Sequence, residues 1–286
     1  MDLNKLFSVN IRILLSNIKK VKNMENRTGQ KWSREETILA FELYCRTPFS
    51  KITKTNKDII ELAKLLGRSP SSVGLKMANL AHFDPEIQRR NLSGMAHGSK
   101  LDKDICEEFA NDWEALYLES QRILANKKKV PFEEMIDLGI ESEWVLWPKG
   151  EYYDAQVKLR MGQYFFRIVV LNAYSNKCCV TGLKDPQLLI ASHIKPWRVS
   201  DIRTERTNPH NGLCLNALHD KAFDRGLITL SKNYEMIISS KLKYVEMDND
   251  TRKWFMQYEH QKINLPDKFI PDKKFIEYHN DMIFQG

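Results

Sequence analysis

Cysteine is scarce in this 286-residue sequence: Cys45, Cys106, Cys178, Cys179 and Cys214 are its five, an odd number with two adjacent. That arrangement does not suit a disulfide framework and points to a reducing compartment, so a cytoplasmic protein is expected. No two cysteines are separated by two residues, which rules out a four-cysteine zinc knuckle, and no structural zinc is expected. Cys178, Cys179 and Cys214 read most simply as small buried hydrophobes. Long apolar runs are missing as well. Over residues 1–23 the longest is "ILL", too short for a signal-peptide core or a membrane span, so no membrane partner is expected. Internal repeats and low-complexity tracts are also absent.

What the chain does have is positive charge. Lys and Arg number 44 against 37 Asp and Glu, a net charge of +7, which favours an anionic partner, nucleic acid first among them. With 42% hydrophobic and 28% charged residues the chain is expected to fold, and its length accommodates two domains. Met24 opens "MENRTGQKWSREE", a polar lead-in that offers an alternative start to Met1. Residues 1–30 are therefore set apart as an N-terminal extension.

Residues 31–125 read as an all-α domain. Ser33 with Glu36 forms a capping box, followed by apolar residues at helical spacing through Ile38, Phe41 and Tyr44. In "NKDIIELAKLLGRSPSSVGLKMANLAHFDP", Ile59, Leu62, Ala63 and Leu66 make one apolar stripe and Gly67 a helix stop. Ser69 caps a second helix with Pro70 at its first position, and Val73, Met77 and Leu80 form its buried face. The pattern is helix-turn-helix-like. The opposite face, with Ser71, Ser72, Leu75, Lys76 and Asn79, can lie in a DNA major groove, so Arg68, Ser71, Ser72 and Lys76 are candidate nucleic-acid contacts. Residues 100–125 read as an acid-rich structural helix. Charge runs, Pro and Gly in "ANKKKVPFEEM" and "WPKGEYY" mark a linker over 126–150. A second domain then covers 151–245, and 246–286 form a C-terminal segment.

Within that second domain, "DAQVKLRMGQYFFRIVVLNAYSNKC" reads as one long helix with Phe166, Val169, Val170 and Ala173 on its apolar face. "CCVTGL" and "LLIASHI" are expected as two short strands around "KDPQ", and "NALHDKAFDRG" as a helix that starts near His219 and ends at Gly226. The stretch "ASHIKPWRVSDIRTERTNPHNGLCLNALHDKAFD" holds three of the seven histidines. Strand, loop and helix with two separated imidazoles suit metal-assisted phosphodiester hydrolysis, which needs a base for water, a cation for the phosphate and a frame for both. His193 at a strand end is placed as the base, because its pKa lies near working pH. His219 can bind a divalent ion while its second nitrogen is held. Asn211 does not titrate usefully and is suited to pinning the loop to the His193 strand or orienting that ring. Lys195, Arg198, Arg203 and Arg206 are candidates to grip phosphates. Trp197 reads as packing, and His210 as surface or phosphate-facing.

The motifs "SHIKPW", "NPHNGLCLNALHDKAFDRG" and "RMGQYFFR…CCVTG" resemble those of HNH endonucleases in the ββα-metal nuclease superfamily, within a bacterial restriction-endonuclease subgroup whose N-terminal part this chain also resembles. The resemblance implies an α+β protein, an N-terminal helix-turn-helix-like domain followed by a ββα-metal nuclease. It implies His193 as general base, Asn211 as its support and His219 as metal ligand. Mg²⁺ or Mn²⁺ would be the ion, double-stranded DNA the substrate, and 5′-phosphate and 3′-hydroxyl ends the products. Two departures stand out: position 192 is serine where many relatives have Asp or His, and the zinc cysteines of many relatives are missing. Asp220 and Asp224 are open as further donors, although Asp224 more simply holds the helix end. A homodimer on a symmetric site is one arrangement for such a protein. The alternative is a DNA-binding regulator with an inactive nuclease fold, with a nonspecific or RNA-directed nuclease third.

Overall fold

Helices in the N-terminal half begin where a polar side chain takes up free N–H groups, and the capping box at Ser33 and Glu36 is formed as expected. The computed structural model describes residues 27, 29–84, 87–88, 98–132 and 151–286. Most of the N-terminal extension and most of the linker expected over 126–150 lie outside the described residues. Helix α1 spans Arg34–Arg46, α2 Lys57–Leu66 and α3 Pro70–Ala81. Gly67 ends α2 in the left-handed region at φ 64°, and Ser69 caps α3, so the two helices are joined by a tight turn. Two further helices follow, α4 at Lys100–Phe109 and α5 at Trp113–Lys128.

Helix α6, Glu151–Ala173, is the element on which both halves meet. It packs against α1 and α5 on one side and against a β-hairpin on the other. The hairpin pairs β1, Leu189–His193, with β2, Gly212–Asn216, antiparallel, with His193 opposite Gly212 and Leu189 opposite Asn216. Helix α7, Ala217–Asp224, follows directly and packs on both strands. A second hairpin, β3 (Ile228–Leu230) and β4 (Met236–Ile238), precedes α8 (Ser240–Lys243), α9 (Asn249–Met256) and α10 (Lys273–Met282). The protein is α+β, with helices first and a strand–strand–helix unit after them.

One strand lies elsewhere than expected. "CCVTGL" forms turns, in which Cys178 Sγ accepts the Thr181 N–H at 3.5 Å, and the partner of β1 is "GLCLN". Leu213, Cys214 and Leu215 are all buried, because α6 covers one face of the hairpin and α7 the other. A strand buried on both faces lacks the alternation by which strands are recognised. Gly212 is required by this packing: a Cβ there would stand 2.5 Å from Val170 Cγ2 and 3.0 Å from Phe166 Cζ.

The C-terminal segment is tied back to the first helix. Lys268, fully buried, donates to the carbonyls of Tyr44, of Cys45 at 3.4 Å and of Thr47 at 2.7 Å, where α1 ends. A cation at a helix C-terminus also meets the favourable end of the helix dipole. Burial pulls the Lys268 pKa down to about 8, which leaves the ammonium intact at neutral pH.

Candidate active site

His193 closes β1 with its ring stacked on Phe166, centroids 3.9 Å apart and planes within 13°, and with Trp197 edge-on at 5.3 Å. Its Nε2 lies 2.8 Å from the carbonyl oxygen of Arg206. A carbonyl only accepts, so Nε2 carries the proton and Nδ1 keeps the lone pair. Burial lowers the pKa to about 4, against a smaller upward pull from that hydrogen bond, so the ring is neutral at neutral pH. The residue is half-buried rather than sealed. The ring is thus held in one tautomer, with Nδ1 unprotonated.

Asn211 is what holds the loop that holds His193. It is fully buried; Oδ1 accepts the Lys195 N–H at 2.8 Å, and Nδ2 reaches the carbonyls of Lys195 at 3.0 Å and Glu205 at 3.3 Å. Its own carbonyl accepts the Ile194 N–H at 2.9 Å. Both ends of the connection between β1 and β2 are thereby clamped, one residue away from the Arg206 carbonyl. Within this loop the Lys195 ammonium is paired to Glu205 at 2.5 Å, and Arg206 Nε donates to the Ser200 carbonyl while its guanidinium lies 5.5 Å from the Trp197 centroid. Lys195 and Arg206, expected to grip phosphate, are thus spent on loop structure. Arg198 and Arg203 are exposed.

His219 is not where a metal ligand was expected. The ring is 1% exposed, with Nδ1 3.0 Å from Asn216 Oδ1 and Nε2 3.0 Å from the Trp254 carbonyl, and it packs on Phe255 and Tyr258. Both nitrogens face protein oxygens, and its surroundings share no ring with those of His193. The cause is helix phase: Asn216 caps α7, and position 219 turns toward α9 instead of toward β1. His210 is likewise structural, its Nδ1 2.8 Å from the Ile270 carbonyl.

The residue that does face β1 is Asp220. Its carboxyl lies beside the hydroxyl of Ser192, a residue only 3% exposed. Burial raises the Asp220 pKa, with the Ser192 hydroxyl and Lys221 pulling it partly back. Asp224, one turn on, is raised by burial and then by the Asp220 charge. The signal was available in the sequence as an i, i+4 carboxylate pair. Two carboxylates and a hydroxyl are hard oxygen donors of the kind Mg²⁺ and Mn²⁺ take, and so they fit a divalent ion. Among the described residues no three His, Cys, Asp or Glu side chains gather as a metal cluster, so water and phosphate oxygens would complete the coordination.

On the N-terminal domain the structure corrects two expected DNA contacts. Arg68 is buried, donating to both carboxylate oxygens of Glu36, at 3.3 and 2.8 Å, and to the carbonyls of Arg27, Gln30 and Lys31. Lys76 is buried on Asp102 at 2.6 Å. The Trp32 ring lies against both cations, 4.3 Å from the Arg68 guanidinium carbon and 5.0 Å from Lys76 Nζ. Neither charge is available to DNA, and α3 carries no other charged residue. Ser71 is exposed and Ser72 half-buried on its outer surface.

Residues 178–231 match the family model described as HNH endonuclease, a span that includes β1, β2, α7 and β3. A comparison with curated proteins finds no match. No described helix is long and apolar enough to cross a membrane.

Proposed function

Since the chain carries an HNH endonuclease domain, we propose that it is a divalent-metal-dependent endonuclease of double-stranded DNA, acting in the cytoplasm in host defence as a restriction or modification-dependent enzyme. The observation that carries this reading is the fixed tautomer of His193, whose Nε2–H is committed to the Arg206 carbonyl. Nδ1 takes a proton from water as the water oxygen bonds to phosphorus, and the P–O3′ bond breaks to leave 5′-phosphate and 3′-hydroxyl ends. The Arg206 carbonyl then steadies the imidazolium that forms, and Asn211 keeps that carbonyl in place. Asp220 and Asp224 of α7, beside Ser192, would hold a divalent ion, which would supply positive charge to the phosphate. Arg198 and Arg203 touch the DNA backbone from the loop. Ser71 and Ser72 form the groove-facing surface of the helix-turn-helix, in a homodimer on a symmetric site.

The test is cleavage of methylated and unmethylated supercoiled plasmid with Mg²⁺ or Mn²⁺. His193→Ala should lose about 10²–10⁴-fold in rate while still retarding DNA in a gel. Equal cleavage by the variant would overturn the role of His193. A second reading, a DNA-binding regulator with a silent nuclease fold, is favoured by Ser192 and by the engaged ring of His219. It predicts retardation of DNA with no cleavage under any ion.

A further inference from the structure

The loop that joins β1 to β2 is locked from within and yet holds apolar side chains outside. Lys195 and Glu205 are ion-paired at 2.5 Å across its base, and Glu205 also accepts the Asp201 N–H at 2.9 Å. Ser200 is buried, with its hydroxyl donating to the Lys195 carbonyl at 3.0 Å. The exposed carboxylate of Asp201 turns back into the loop: Oδ1 accepts the N–H groups of Arg203 and Thr204, at 3.1 and 2.9 Å, and the Thr204 hydroxyl at 2.8 Å. A short 3-10 turn, Trp197–Val199, completes the frame. On that frame Val199 is 50% exposed and Ile202 59%. Single exposed aliphatics need no explanation. Here two stiff β-branched chains are held out by a fixed backbone, with the exposed Arg198 and Arg203 on either side of them in the chain. The loop is also bound to the base: Trp197 stands edge-on to the His193 ring, and Arg206 gives its carbonyl to His193 Nε2.

We propose that Val199 and Ile202 form an apolar wedge that enters between stacked base pairs of duplex DNA, while Arg198 and Arg203 sit on the flanking phosphates. The inference rests on the nuclease reading for its substrate and adds a source of sequence preference. Apolar side chains leave water for the gap between two base pairs, and the guanidinium groups hold the backbone on each side as the duplex kinks. Opening the gap costs least at pyrimidine–purine steps, TA and CA/TG, so those steps are favoured without any polar contact to a base edge. Rigidity is what lets the wedge work, because a slack loop would fold its apolar side chains away. Since the same loop fixes the His193 ring, the kink falls at a set distance from the phosphate that His193 addresses.

Permanganate, which oxidises unstacked thymines, tests this on a duplex of mixed sequence bound by the full chain in EDTA, where no metal-dependent cleavage intervenes. Wild type should raise thymine reactivity at TA steps about fivefold or more over free DNA. The double variant Val199→Ser, Ile202→Ser should return it to the level of free DNA while still retarding the duplex, because Arg198 and Arg203 remain. Ile202→Leu should keep most of the signal. Both positions are exposed, so the Tm of each variant should match that of wild type. Unchanged thymine reactivity under bound wild type, or full reactivity under the double serine variant, would overturn the wedge. Mapping plasmid cuts with Mg²⁺ or Mn²⁺ in parallel separates the two claims. Cutting with no unstacking and no preference among base steps keeps the nuclease and loses the wedge. Unstacking without cutting keeps the wedge on a DNA-binding protein and loses the nuclease, and a chain that does not retard the duplex loses both.

Discussion

Replacing Asn211 tests how the loop and the base are coupled. Asn211→Ala leaves the Lys195 N–H and the carbonyls of Lys195 and Glu205 without their buried partner. Each orphaned group costs about 1–3 kcal/mol, so the loop as built loses roughly 3–5 kcal/mol once partial hydration is allowed for. That sum is enough to open the connection between β1 and β2 locally, which withdraws the Arg206 carbonyl from His193 while α6 and α7 stay packed. Hydrogen exchange should show faster exchange confined to residues 194–211, and cleavage should fall about 10²-fold or more, as for a lost general base. Asn211→Asp sharpens the argument. It keeps the oxygen that accepts from Lys195 but turns a donor into a charged acceptor facing two carbonyls, so it should be at least as damaging as alanine despite its equal size. An aspartate variant with normal exchange and normal cleavage would refute the reasoning.

Other outcomes follow from the packing. Arg68→Met leaves the buried Glu36 carboxylate to Arg27, at 3.1 Å, and the Ser33 N–H, and should cost about 2–3 kcal/mol in thermal or denaturant unfolding, while the DNA affinity of the folded protein stays unchanged; a selective loss of DNA binding would restore Arg68 as a contact. Lys268→Met removes the buried ammonium from the carbonyls of Cys45 and Thr47 and leaves the Tyr44 carbonyl to the Thr47 N–H alone, and should lower stability by about 2–4 kcal/mol, measured by urea denaturation. Gly212→Ala pushes a methyl into Val170 and Phe166 and should cost about 1–3 kcal/mol, with a lowered Tm as the readout. His279, 1% exposed, has its pKa pulled by burial to about 4, from an ordinary value of 6.5. The unfolded chain therefore binds the extra proton first. The contribution is whole above pH 6.5 and is lost as pH falls toward 4, worth about 3 kcal/mol. Unfolding measured from pH 7 to pH 4 should slope less in His279→Gln.

Much of the fold was legible because its signals are local. The capping box at Ser33, the stop at Gly67 and the cap at Ser69 each close within a few residues, and the structure repeats them. The hairpin was only half legible: β1 was read from its alternation with turn residues, whereas β2, buried on both faces, carried no period. Among the site residues, Asn211 clamps the connection between β1 and β2, a contact made near its own position in the chain.

Residue chemistry and spacing alone determined an α+β chain rich in short-range caps, with His193, Asn211 and two carboxylates brought onto one strand–strand–helix unit. Only tertiary structure decided which cations stay free and which imidazole faces the hairpin. Arg68 meets a carboxylate 32 residues away and Lys76 one 26 residues away, and His219 meets a carbonyl 35 residues on. A side chain's type sets what bonds it can make, but burial sets which of them it must make, and burial depends on segments that are distant in sequence.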